Sequence, residues 1–150
     1  MWTDEDHRFM GLALEEARAA EAAGEVPIGA VIVLDGKIVG RGRNTPISLH
    51  DATAHAEVAA LRDAGAALAN YRLSGATLYV TLEPCLMCFG AMLHARIAKV
   101  VFAAKDPKVG VSKLVSALEG AHLNHRFELT GGLREDEARE QLKVFFANRR

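Results

Sequence analysis

Cys85 and Cys88 stand three residues apart in Glu83-Pro84-Cys85-Leu86-Met87-Cys88, and the chain holds no other cysteine. Two thiolates that close need either a cation between them or oxidation to a disulfide. Three chemistries therefore compete for the pair: a redox couple, half of a structural zinc site, or half of a catalytic zinc site. A structural zinc takes four protein ligands, and no second cysteine pair exists to complete one. Upstream lies His55-Ala56-Glu57. His55 would make a third ligand and leave the fourth position to water, which is the catalytic pattern. Glu57, two residues on, cannot easily share the metal but can reach that water.

The elements must bring these residues together. Thr3 or Asp4 can cap a first helix, in which Met10, Ala13, Leu14 and Ala17 recur at helical spacing. VPIGAVIVLDGKIVGRG reads as two strands around an Asp35-Gly36 turn. NTPISLHDAT is a polar loop, after which Asp51 or Thr53 can cap a second helix, AHAEVAALRDAGAAL. ATLYVTL is a strand, and Pro84 suits the first turn of a third helix, CLMCFGAMLHA. AKVVFAA is another strand. A long loop region with a short helix at SKLVSAL follows, then RFELTGG as a last strand. In the closing helix Ala138, Leu142, Phe145 and Phe146 are expected on one face. This order predicts a three-layer α/β/α sandwich around a mixed sheet of about five strands, with one antiparallel hairpin edge and the rest parallel. The length suits one domain over residues 1–150. Neighbouring parallel helices would then bring the starts of the second and third helices to one sheet edge, where α/β sheets place active sites.

His-x-Glu followed by Pro-Cys-x-x-Cys is the signature of zinc deaminases that act on bases. Water activated by the metal would attack the ring carbon that carries an exocyclic amine. Glu57 would take the water's proton and later deliver one to the departing ammonia.

Bulk properties set the frame. Half the residues are hydrophobic but only 6% are aromatic, so the core must rest on Ala, Val, Leu and Ile. No apolar run approaches the roughly 18 residues of a membrane helix, and the acidic start MWTDEDHRF does not resemble a secretory signal. Together with the sparse cysteines this points to a reducing cytoplasm. Residues 1–30 carry seven acids against Arg8 and Arg18, while 96–126 carry six bases against Asp106 and Glu119. A near-neutral chain can thus offer a basic face to a polyanion.

NTPISLHDATAHAEVAALR, NYRLSGATLYVTLEPCLMCFGAM and ARIAKVVFAAKDPKVG resemble the bacterial tRNA-specific adenosine deaminase family, within the cytidine-deaminase-like superfamily, from about residue 5 to 148. The resemblance implies one Zn2+ per subunit on His55, Cys85 and Cys88, with Glu57 as proton shuttle. It implies that Ile28 lines the pocket, that Asn44 hydrogen-bonds the flipped base and that the Ala56 amide lies near the reacting centre. It also places Asp106 and Asn124 beside the anticodon loop. The implied reaction converts the wobble adenosine of a tRNA, tRNA-Arg by expectation, to inosine, and the implied assembly is a homodimer. The rival reading is a zinc deaminase of free bases or nucleosides such as guanine or cytosine. Phe89, Ala52 and Arg43 depart from the family's usual residues, and Phe89 is expected to fill space behind the zinc or at the dimer contact.

Overall fold

The computed structural model describes residues 1–118 and 123–149; Glu119 of the charge pattern lies outside the described residues. Helix α1 (Asp4–Ala22) starts at Thr3, whose side chain accepts from Asp6 N while Asp6 returns the bond to Thr3 N. Met10, Ala13, Leu14 and Ala17 form its buried face. Strands β1 (Gly29–Leu34) and β2 (Lys37–Arg43) flank a turn in which Asp35 and Gly36 have φ of 52° and 76°. Both values lie in the left-handed region that a tight hairpin requires.

The polar segment after β2 is not all loop. Pro46–Leu49 forms the short helix α2, with Pro46 in its first turn. Helix α3 (Ala56–Leu68) begins later than the sequence suggests. Asp51 does not cap it, because its carboxylate accepts from the amide and hydroxyl of Thr53 in a local turn. His55 takes the cap position instead, without a capping bond from its side chain. After β3 (Thr77–Leu82) the same thing recurs: Pro84 precedes α4 (Leu86–His94), and Cys85 is its N-cap. Strand β4 (Lys99–Ala104), helix α5 (Ser112–Leu118), strand β5 (Glu128–Gly131) and helix α6 (Glu135–Ala147) complete the order. In α6, Ala138 and Phe145 are buried, whereas Phe146 is 51% exposed. It stands about 100° round the helix from Phe145 and off the expected face.

The five strands lie in the order β2-β1-β3-β4-β5. Strand β1 pairs antiparallel with both β2 and β3, and β3, β4 and β5 pair parallel. Only β1 therefore runs against the rest, and the β2–α3–β3 crossover passes over it. Each sheet face has its own core. Ala56, Ala60 and Ala64 of α3 and Cys88 and Met92 of α4 pack on Ile32, Leu78 and Val100. Phe9, Met10 and Leu14 of α1, with Leu133 and Ala138, pack on Val31, Tyr79 and Val101 on the opposite face. The result is the expected α/β/α sandwich.

The seating of α3 depends on missing side chains. A Cβ at Gly42 would run into Ala56 O and Ala60 N, and one at Gly40 into Ala60 O and Ala64. The helix lies directly on the backbone of β2, and that contact sets the height of the turn beginning at His55.

Candidate metal centre

Helices α3 and α4 follow parallel strands β2 and β3, so both N-termini open at the same edge of the sheet. His55 and Cys85 are the two N-cap residues, and Cys88 lies in the first turn of α4. His55 Nδ1 is 3.6 Å from Cys85 Sγ and 3.5 Å from Cys88 Sγ. One donor atom from each of the three lies within 4.8 Å of the others. An ion held tetrahedrally, about 2.3 Å from sulfur and about 2.1 Å from nitrogen, would set each sulfur–nitrogen pair about 3.6 Å apart. The donor set fits zinc in type and in spacing. A disulfide couple, by contrast, has no use for an imidazole equidistant from both sulfurs.

The electrostatics point the same way. Hydrogen bonds from Cys88 and His55 draw the Cys85 thiol down to about 3, so it is held as a thiolate. The bond to that thiolate, together with burial, pushes the Cys88 thiol far up. His55 is raised, first by its bond to Cys85. The cluster thus holds one thiolate readily and resists a second, and a divalent cation is what relieves that opposition. Glu57 is buried, 4% exposed, with its carboxyl against Cys88. Burial lifts it to about 7, with the charge of His55 opposing the rise.

The same edge gathers four more of the expected residues. Asn44 is buried, and its Oδ1 accepts from Ala56 N at 2.9 Å. That bond orients the amide and leaves Nδ2 to donate elsewhere. It also commits the Ala56 amide to the scaffold. Asn44 N donates to Ile28 O, and Ile28 packs on the core cluster beside Cys85. Asp106 sits in the loop after β4, where its carboxylate accepts from Lys108 N and Val109 N of its own turn. Asn124 is not with this group. It lines a small cleft with Leu93, His94 and Arg96 at the far end of α4, whose axis runs about 9 Å from Cys88 to His94.

The basic segment does not make one face. Arg96 and Lys105 bracket β4, whose six residues span roughly 20 Å. Lys99 lies within electrostatic reach of Asp6 on α1. Cations near the metal edge are those of the 105–113 loop. Phe89 is buried and turns toward β5, its ring centroid 5.0 Å from that of Phe127. It fills the layer between α4 and β5.

Two buried glutamates escaped the sequence reading. Glu25 is 1% exposed and Glu83 6%. The available signal was a lone carboxylate in an otherwise apolar run, in Gly-Glu-Val-Pro and Leu-Glu-Pro-Cys.

Comparison with known proteins agrees with this geometry. Residues 3–104 match the family described as the cytidine and deoxycytidylate deaminase zinc-binding region. The chain is similar to a tRNA-specific adenosine deaminase of Haemophilus influenzae, 47% identical over 97% of this chain and 85% of the relative. It is also similar to a solved structure from studies of A-to-I editing by tRNA:A34 deaminases at the wobble position of transfer RNA. That structure has a TM-score of 0.85 and 48% identity over 90% of this chain and 99% of that one. A more distant likeness is to a guanine deaminase from Nitrosomonas europaea, with a TM-score of 0.77 and 28% identity over 98% of this chain and 86% of that one.

Proposed function

Because the chain belongs to the cytidine and deoxycytidylate deaminase zinc-binding family, we propose that it hydrolyses adenosine to inosine and ammonia at the wobble position of a tRNA, with tRNA-Arg as the expected substrate. The observation that carries this reading is the convergence of His55, Cys85 and Cys88 around a buried Glu57 at one sheet edge. His55, Cys85 and Cys88 would hold the zinc, one ion per subunit. When bound there, zinc supplies Lewis-acid activation of water near neutral pH. Glu57 accepts one proton from the water as its oxygen bonds to the amine-bearing ring carbon, and passes that proton to the adjacent ring nitrogen. It then carries the proton left on the added oxygen to the exocyclic nitrogen, so that the ring carbonyl forms as the C–N bond breaks and ammonia leaves. Asn44 Nδ2 donates to the extruded base, and Ile28 forms the apolar wall beside it. The amine of a stacked base is out of reach, so the nucleotide must leave its stack, which costs least in an unpaired anticodon loop. Lys105, Lys108 and Lys113 suit contacts to phosphates, with Asp106 among them.

Residues 1–150 act as one deaminase domain in this reading, and as a homodimer. Supporting the dimer is an apolar groove of about 690 Å³ on the outside of α3 and α4, lined by Val58, Leu61, Tyr71, Ala91 and His94. If a second copy closes that face, Asn124, beyond the far end of α4, falls near the joint and could serve RNA bound across two subunits. No helix among the described residues is long and apolar enough to cross a membrane. Thiolate ligands suit a reducing compartment, and the cytoplasm is the proposed setting.

The second reading, deamination of free guanine, is favoured by the likeness to the guanine deaminase. Incubating zinc-loaded protein with a tRNA-Arg anticodon stem-loop, and separately with guanine, cytosine and adenosine, distinguishes the two. Inosine at the wobble position is the expected product. Turnover of a free base without RNA turnover would replace the first reading with the second.

A further inference from the structure

Glu25 and Glu83 are buried, and among the described residues neither is in an ion pair. A buried carboxylate without a cation is costly, and it persists only where several donors converge on it. Here the donors belong to two loops. Glu25 Oε1 accepts from Ile47 N at 3.1 Å, and Oε2 accepts from Ser48 N at 2.7 Å and from the Ser48 hydroxyl. It holds the start of α2, directly after Asn44. Glu83 Oε1 accepts from Asp106 N at 2.9 Å, and Oε2 from Ser112 N at 2.7 Å. Both ends of the 106–112 loop therefore hang from one side chain. Gly110 lies so close that an added Cβ would strike the Glu83 carboxylate, and Val111 N bonds Pro84 O, next to Cys85.

We propose that Glu25 and Glu83 are a matched pair of positioning residues, each holding one of the two loops that frame the approach to His55, Cys85 and Cys88. This rests on the deaminase reading and deepens it. The loops carry Asn44 and Asp106, so the carboxylates set how the RNA is held and leave the proton chemistry to Glu57. The requirement for a carboxylate is specific, because every partner is a donor. A glutamine keeps one acceptor and turns an NH2 group toward the other N–H.

The test is Glu25→Gln and Glu83→Gln in the full chain, with anticodon stem-loop RNA as substrate. Losing one acceptor from a buried amide is expected to raise KM about tenfold while kcat stays within about twofold. Zinc content should remain that of the parent. Amide exchange measured without RNA should quicken at Ile47 and Ser48 in the first variant and at 106 and 108–112 in the second. Gly110→Ala displaces the loop with Glu83 intact, and Ser48→Ala removes only the hydroxyl bond. Both should move KM the same way, and they decide the matter if a glutamine variant does not fold. Unchanged KM, or kcat falling in step with lost zinc, overturns the proposal. A parent protein inactive on RNA defeats the substrate reading alone. The exchange data then judge the clamps by themselves, and unchanged exchange at both loops overturns them.

Discussion

Gly42→Ala tests whether the close seating of α3 on β2 sets the metal site. Gly42 pairs with Ala30 in the hairpin and lies under the first turns of α3. The new methyl would meet Ala56 O and Ala60 N, which are backbone atoms of a helix and cannot rotate away. Either α3 lifts or β2 sags. Inserting a methyl into a filled core costs typically 1–3 kcal/mol, and a clash with two backbone atoms of the helix belongs at about 3 kcal/mol. For a chain of this size each kcal/mol lowers Tm by about 2–4 °C, so a fall of about 6–12 °C is expected. The displaced turn begins at His55, while Cys85 and Cys88 ride on α4. The histidine should therefore move relative to both sulfurs, weakening zinc binding by at least about tenfold, since such sites tolerate only about 0.5 Å. Gly40→Ala meets α3 one turn later, at Ala60 O and Ala64. It should cost similar stability with a smaller loss of zinc affinity. Thermal melts and competition against a chromogenic chelator measure both quantities. If Gly42→Ala melts within about 2 °C of the parent and keeps its zinc affinity, the reasoning about how α3 is seated is wrong.

Glu57→Ala should retain zinc by elemental analysis and lose about a hundred- to ten-thousand-fold in turnover, and near-parental rates would refute its role as proton carrier. Phe89→Ala should lower stability by about 3–5 kcal/mol through the cavity left beside Phe127, with zinc content unchanged, and loss of zinc would instead tie Phe89 to the site. Asp6 is held below its usual range: burial raises it, but the Thr3 amide, the Tyr79 hydroxyl and the Thr3 hydroxyl together outweigh that. A depressed carboxylate adds stability above its unfolded pKa of about 3.9 that is lost as pH falls through the lower folded value. Asp6→Asn should therefore destabilise the protein at neutral pH, with the difference from the parent shrinking below about pH 4, as followed by denaturant midpoints. A difference independent of pH would refute the assignment.

What the sequence determines by itself is local or chemical. The Asp35-Gly36 turn and the buried stripe of α1 depend on residues near in sequence, and the donor types of His55, Cys85 and Cys88 on side-chain chemistry; these are legible there. Helix starts were less so. Asp51 had the look of a cap but is spent on Thr53, and His55 and Cys85 occupy the cap positions with side chains turned to the metal edge instead of to the helix. The pattern puts Phe146 on the same face of α6 as Phe145 because adjacent aromatics look alike in it, and only packing separates them by their rotation of about 100°. The tertiary structure alone decided the rest. It laid β3 beside β1, seated α3 on Gly40 and Gly42, and hung two loops from Glu25 and Glu83. Each of these joins residues more than ten positions apart, and sequence spacing carries no record of which distant backbone amide will need a carboxylate once water is excluded.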